Sequence, residues 1–488
     1  MTKAKKKKEG RPPKKKIKNA RRGRPRKTIP ANVEGLISER SKKHFPRILR
    51  GMQDILPQEI GYWDWFLEKA ESMARAYGFQ KIILPVLEEK TLFEKTTGLG
   101  SDIIKKQMYE FRDRGRNEVA LRPEFTPSVA RSYIEHGMFN LSQPVKLYYS
   151  GPAFRYERPQ YGRFREFHQF GLEVLGTESP AVDAQLISFS INLFRKLGLK
   201  VKFQINSLGC IECRKIYRKK LVDYFRLKKR WLCDDCQARL KQNPLRILDC
   251  KKDSCWNIII QAPQILDSLC EDCHSHFVKV LEFLDELSIV YELTPYLVRG
   301  LDYYTKTVFQ VLPSNAYVSE AKPARRRKSS RSGRGDLLES VPFFRQELGG
   351  GGRYDGLIES LGGRPTHACG ISYGIERIIQ EMKIQKVKIP KLRGSQIFLA
   401  QLGERAKRQA LKLSEDLRKE GFKLEENFAK YSLRAQLELA NKLGVKHTLI
   451  LGQQEVIDKT IIIRDMTSGN QEVVDQEKIV KELRKRLK

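Results

Sequence analysis

Two strand-like runs separated by a polar turn, Arg158 to Gly162, lie between Leu121 and Gly176 and read together as one long antiparallel hairpin. That feature sets the architecture. Parallel sheets are built from βαβ units, which place a helix between successive strands, and this stretch is not a βαβ pattern. The expectation is an α+β domain organised on an antiparallel sheet. Upstream, the periodic residues Trp63, Phe66, Leu67, Ala70, Met73 and Ala74 predict an amphipathic helix leading into a β-rich run from Lys81 to Leu87.

The C-terminal part follows another rule. Strand Gln396–Leu402, helix Glu404–Glu420, strand Phe422–Glu426, helix Ser432–Leu443 and strand His447–Leu451 alternate, which predicts a separate small α/β domain over 394–488. Residues 383–393, polar and carrying Pro390, read as its linker. The main domain spans 47–382. Inside it, a Cys-rich and mostly helical insertion occupies 207–287, strand character returns at Thr307–Leu312, and a basic low-complexity insertion, 319–345, reads as a flexible surface loop.

The formal charge is +35, but much of it is local. Residues 1–30 carry fifteen Lys and Arg against Glu9 alone, and Lys322 to Arg334 add seven bases without an acid, leaving +14 on the rest. Residues 1–46 hold too little apolar surface to offset the entropy of ordering and are expected to be disordered. A body still this basic suits a polyanion, although solubility alone is the plainer reading and charge does not separate tRNA from DNA or ribosomal RNA. Gly10-Arg-Pro12 and Arg22-Gly-Arg-Pro-Arg26 resemble AT-hook cores; an added tRNA-affinity arm is preferred to a DNA-binding function. No stretch reaches the ~18 apolar residues of a membrane span, and no secretory signal follows the charged start, so a cytoplasmic protein with no membrane partner is expected.

Along Gln169-Phe170-Gly171-Leu172-Glu173-Val174, period two puts Gln169, Gly171 and Glu173 on one face and the apolar residues on the other. The polar face is either an ordinary solvated strand face or a small-ligand floor. Phe154-Arg155-Tyr156-Glu157 sets Arg155 and Glu157 on a common face, with Arg158, Arg163 and Arg165 in the turn: a phosphate-binding cluster or a set of surface ion pairs.

Eight of the nine cysteines fall between residues 210 and 273 as four close pairs. Cys210-x₂-Cys213 and Cys233-x₂-Cys236 match a zinc-ribbon-like spacing, and Cys250-x₄-Cys255 with Cys270-x₂-Cys273 make a looser second set. The combination of Cys210 and Cys213 with Cys270 and Cys273 stays open, as does a role as small buried residues. Two structural Zn²⁺ sites are expected, their loss lowering stability before it touches catalysis.

Three segments in order resemble the motifs of class II aminoacyl-tRNA synthetases: Ile-Leu-Pro85-Val-Leu-Glu, Phe154-Arg-Tyr-Glu157 with its turn and second strand, and Gly370-Ile-Ser-Tyr-Gly374-Ile-Glu-Arg377. Leu297-Val-Arg-Gly-Leu-Asp-Tyr-Tyr304 and Arg155 through Gln169 resemble the histidyl-tRNA synthetase family, as do Arg50 to Pro57 and Leu121 to Thr126. The resemblance implies a homodimer through the Pro85 segment, an anticodon-binding C-terminal domain, and activation of L-histidine with ATP and Mg²⁺ before transfer to tRNA(His). It implies that Glu124, Thr126 and Gln169 hold the α-amino end of histidine and that Glu173 and Tyr304 face the imidazole, with Tyr303 in the same set. Arg155 and Arg299 are implied at the α-phosphate, Arg377 at the terminal phosphate, and Glu157 at the adenine amino group. Arg158, Gln160, Arg163 and Arg165 are expected near the tRNA acceptor end.

A Gly349–Gly352 run lacks the ending of a P-loop and reads as close-packed backbone beside the adenylate site. Tyr373 replaces a small aliphatic residue of motif 3 and is expected to reshape adenine-side packing. The alternative is a non-catalytic, histidine-sensing paralogue. That type lacks the last domain and the motif arginines, whereas Arg155, Arg299 and Arg377 are all present.

Overall fold

The computed structural model describes residues 46–97, 103–159, 162–314, 347–390 and 394–487. The basic tail with its Gly-Arg-Pro cores, Gln160, the 319–345 insertion and the end of the 383–393 linker lie outside the described residues.

In chain order the first strands are β1 (Gln80–Lys81), β2 (Leu87–Glu89), β3 (Tyr109–Arg112), β4 (Glu118–Leu121), β5 (Val145–Phe154) and β6 (Glu166–Leu175). Then come β7 (Val201–Ser207), β8 (Glu292–Leu293), β9 (Thr305–Pro313), β10 (Gly349–Arg353) and β11 (Ala368–Gly374). The expected hairpin is β5–β6, antiparallel in register from Val145↔Leu175 to Phe154↔Glu166. It supplies the second and third strands of an eight-stranded sheet ordered β1-β5-β6-β11-β10-β9-β7-β8. Every pair from β5 to β7 is antiparallel, while the short edge pairs β1–β5 and β7–β8 are parallel, so the sheet is mixed at its edges.

Period two sorts the core. On β5, Tyr148 belongs to one apolar cluster and Leu147 and Tyr149 to the other; on β9, Phe309 and Val311 oppose Val308. The first face is covered by helix Pro57–Ala76, which buries Trp63, Phe66, Ala70, Met73 and Ala74 as its periodicity predicts, and by helices Pro180–Lys196, Glu271–Glu286 and Ile375–Ile384. Because β6 is interior to the sheet, its Gln169–Glu173 face is not an ordinary solvated face: Glu173 is buried like Phe170, Leu172 and Val174, and Gln169 is half-buried.

The β-rich run expected from Lys81 to Leu87 is broken, with strand only at its ends. Pro85 has no N–H for a ladder, and the buried Arg122 guanidinium takes the Leu84 and Pro85 carbonyls at 2.7 and 3.0 Å instead. The Cys-rich insertion is helical: Ile211–Leu227, Asp234–Gln242, Asp253–Ile259 and Glu271–Glu286.

The C-terminal sheet adds β12 (Ile397–Gln401), β13 (Leu424–Glu426), β14 (His447–Leu451), β15 (Thr460–Asp465) and β16 (Gln471–Asp475), ordered β13-β12-β14-β15-β16. Its first three strands are parallel and joined by helices Glu404–Lys419 and Leu433–Leu443, as the alternation predicts. Ser432 caps the second helix by accepting from the Ala435 N–H. The antiparallel β15 and β16 extend the sheet. The expected linker starts late: helix Ile375–Ile384 runs into it, and Val387 and Ile389 pack on the main core.

Candidate active site

A cleft opens over β6, β10 and β11, lined by Gln169, Gly349, Gly350, Ser372 and Gly374. Four further segments converge on it: Glu124 and Thr126 at the start of helix Thr126–Glu135, Arg155 and Glu157 after β5, the loop Arg299–Tyr304 before β9, and Arg377 in the first turn of helix Ile375–Ile384. Sequence positions more than 200 residues apart thus meet at one place because antiparallel pairing brings β6 beside β11 (Gln169↔Gly374).

One end of the cleft is carboxylate and hydroxyl. Tyr303 donates to Glu124 Oε2 at 2.7 Å. Glu173 lies one layer behind, accepting from Thr126 at 2.8 Å, Tyr149 at 3.2 Å and Tyr354 at 2.6 Å. Burial, aided by the nearby Glu124 carboxylate, pushes its carboxyl up to about 7 against the pull of those three hydroxyls. Only glycine fits opposite, since a Cβ on Gly370 would lie 1.7 Å from Glu173 Oε2. Gln169 Oε1 and Ser372 Oγ are buried without a hydrogen-bond partner among the described residues. Orphaned acceptors in a lined cleft point to a ligand donor.

The other end is cationic. Arg155 is steadied by Pro123 O at 2.9 Å. Arg299 lies flat over β10, where a Cβ on Gly350 would sit 2.4 Å from its Nη1; the glycine run is strand backbone that makes room for a guanidinium. Glu347, which sequence reasoning missed, accepts from Arg299 at 2.5 Å and through its carbonyl from Arg377 at 3.0 Å. Burial would raise its carboxyl, but the Arg299 and Arg377 guanidiniums hold it down at about 2. Its only signal was an acid two residues before the glycines. A second unforeseen tie is Glu376, which accepts from the His168 N–H at 2.9 and 3.0 Å and joins β6 to the helix carrying Arg377.

Glu157 faces Arg163 at 3.5 Å, Arg165 rests on the Tyr156 ring at 3.7 Å, and Arg158 is exposed. Tyr373 does not face the cleft. Opposite parity on β11 turns it into the core, where its hydroxyl meets Ser190 at 2.5 Å and its ring packs on Phe170, filling the space left by Gly349; the expected change in adenine-side packing is therefore not made by this residue.

The cysteines gather into two groups of four, Cys210, Cys213, Cys270 and Cys273, and Cys233, Cys236, Cys250 and Cys255, with sulfurs all within 4.8 Å of one another in each. This overturns the combination of Cys210 and Cys213 with Cys233 and Cys236. Helices Ile211–Leu227 and Glu271–Glu286 bracket the insertion and lie with their first turns together, so the outer pairs meet and the inner pairs are left to each other. The Sγ separations of 3.6 Å (Cys210–Cys213) and 3.9 Å (Cys233–Cys250) match the ~3.8 Å edge of a tetrahedron with Zn–S bonds of ~2.3 Å. Cys210, Cys233 and Cys270 are N-caps of helices; burial would raise the Cys210 and Cys233 thiols, but hydrogen bonds from helix-start N–H groups and neighbouring thiols draw both down to about 7.

An antiparallel core sheet, a carboxylate pocket and arginines spaced along one cleft together define a class II aminoacyl-tRNA synthetase. The family model for histidyl-tRNA synthetase matches residues 51–318, and that for an anticodon-binding domain matches residues 396–486. The chain belongs to the histidyl-tRNA synthetase family. It is 41% identical to the histidine–tRNA ligases of Desulforamulus reducens and Natranaerobius thermophilus, in each case over 85% of this chain and 93% of the relative. The apo histidyl-tRNA synthetase of S. aureus superposes with a TM-score of 0.71 at 33% identity, covering 90% of this chain and 99% of that one.

Proposed function

We propose the following division of labour for histidine–tRNA ligation, the activity of this family. Glu124, Thr126 and Gln169 hold the ammonium of histidine; Tyr303 fixes the Glu124 carboxylate, and Tyr304 bounds the imidazole. Glu173 acts at that imidazole from behind Thr126 and Tyr149, setting which way their hydroxyls point. The histidine carboxylate attacks the α-phosphorus in line while Arg155 and Arg299 stabilise charge growing on the equatorial oxygens. Arg377 takes the terminal phosphate and Glu157 the adenine amino group. No protein nucleophile is required. Glu347, ionised between Arg299 and Arg377, holds those two guanidiniums at the phosphate end. Mg²⁺, when bound together with ATP, would supply neutralisation of the polyphosphate.

The single observation that carries this reading is the convergence of Arg155, Arg299 and Arg377 with Glu124, Gln169 and Tyr304 on one cleft. All three arginines are in place, against the expectation for a non-catalytic paralogue. Arg158, Gln160, Arg163 and Arg165 receive the acceptor end of tRNA(His), and the last domain its anticodon. Exposed Ile83, Val86 and Leu87 beside Pro85 support a homodimer interface, and the enzyme works in the cytoplasm. Each cysteine group holds one structural Zn²⁺. Charging of a tRNA(His) transcript with labelled histidine tests the whole assignment; failure to charge it while the protein binds ATP would overturn the reading.

A further inference from the structure

The loop Arg299–Tyr304 carries three of the residues assigned above, yet it has no helix or strand of its own before β9 begins at Thr305. Its carbonyls are held instead by the Cys-rich insertion. Arg214 Nη1 donates to Asp302 O at 3.1 Å and to Tyr304 O at 3.0 Å. Arg246 Nη1 donates to Gly300 O at 3.0 Å, and Asn243 Nδ2 to Asp302 Oδ1 at 2.9 Å. These bonds hold the backbone of Gly300, Asp302 and Tyr304 and the Asp302 carboxylate, while Arg299, Leu301, Tyr303 and Tyr304 line the cleft.

The donors sit beside the sulfur groups. Arg214 follows Cys213 in the first turn of helix Ile211–Leu227, the turn that the Cys210, Cys213, Cys270 and Cys273 group ties to helix Glu271–Glu286. Asn243 and Arg246 lie between Cys236 and Cys250, in the segment closed by the second group. That segment holds the nine-residue helix Asp234–Gln242 and a single 3-10 turn, Pro244–Ile247, too short to order themselves in water.

Resting on the zinc reading above, we propose that the two cysteine centres serve the chemistry as well as the fold. By fixing the origins of Arg214, Asn243 and Arg246, they hold the Arg299–Tyr304 loop in the geometry that binds histidine and the α-phosphate. The three side chains are positioning residues, and metal occupancy sets whether the site is assembled. Cysteine spacing alone put metal loss on stability; the grip on this loop puts it on the adenylation step too. A misplacement near 1 Å from residues remote to the chemistry costs on the order of 10²-fold in rate.

The test uses the full-length enzyme, with zinc measured by mass spectrometry and activation by histidine-dependent exchange of pyrophosphate into ATP. Two zinc ions per chain are expected, and stripping them with a mercurial and chelator is expected to lower exchange about 100-fold, reversibly once excess thiol has removed the mercurial and Zn²⁺ is added. Arg214→Met should keep both zinc ions and the melting temperature but lower kcat about tenfold or more, while leaving the KM for ATP near that of the parent; Arg214→Lys, which restores a donor, should recover part of the loss. Fewer than one zinc per chain overturns the metal reading and the proposal with it. Two zinc ions per chain together with parental activation in Arg214→Met overturns the coupling alone and leaves the metal sites standing.

Discussion

Replacing Arg299 by Ala isolates the proposed α-phosphate contact, because its guanidinium is the one that lies over the glycine strand while the proposed histidine end is built from other residues. Loss of one donor aimed at developing charge costs about 3–4 kcal/mol, or 10²–10³ in kcat. The structure adds a second cost. Glu347 accepts from Arg299 at 2.5 Å, and without that partner its carboxylate faces the polyphosphate with Arg377 alone. Two like charges about 4 Å apart repel by about 4 kcal/mol at an effective dielectric of 20. The Glu347 side chain is 37% exposed, so screening reduces this to roughly 1–2 kcal/mol. Arg299→Ala should therefore lose about 10³–10⁴ in the adenylation rate, and adding Glu347→Gln should return roughly tenfold. Rapid-quench single turnovers give the rate, and histidine titration is expected to show binding within about twofold of the parent. Near-parental adenylation in the single variant, or no recovery in the double, would refute the role given to this pair.

Glu173→Gln should weaken histidine selectively, by about tenfold in KM, with ATP little affected; equal weakening of both ligands would make the residue structural. Its buried carboxyl rises from 4.5 to about 7 in the fold, so the folded state binds the extra proton between those values. The parent should then lose stability as pH climbs from 4.5 towards 7, by at most about 3 kcal/mol from this group. Glu173→Gln should flatten that slope in urea unfolding, and an unchanged slope would locate the titration elsewhere. Deleting residues 2–44 should leave amino-acid activation unchanged but lower tRNA affinity and its salt dependence, by about 0.9 or less in log–log slope per lost phosphate contact; an unaltered slope would show that the tail does not touch tRNA.

What was legible in the sequence was the local chemistry. The hairpin, the periodicity of helix Pro57–Ala76 and the alternation after Gln396 each depend on neighbours in the chain, and each appears as a matching element. Candidates for phosphate or ammonium chemistry, such as Arg155 and Glu124, could be named because the family's motifs carry those side chains. What local pattern could not decide was set by topology. Gln169 and Glu173 look like half of a solvated strand until β11 and β5 are known to flank β6. The cysteine pairs recombine because two helices bracket the insertion, which spacing does not encode. Tyr373 was misplaced for want of a parity count against Ser372 and Gly374, which line the cleft. Glu347 was hidden at the edge of a basic low-complexity stretch, where an isolated acid carries no pattern.

The central claim is that this cleft selects histidine, and the most direct measurement is exchange of labelled pyrophosphate into ATP with each of the twenty amino acids in turn. A buried ammonium cradle and an imidazole pocket whose polar groups are left unpaired by other side chains predict exchange with histidine and at least about 10⁴-fold less with any other amino acid. Absence of exchange with histidine, or comparable exchange with a second amino acid, would contradict it.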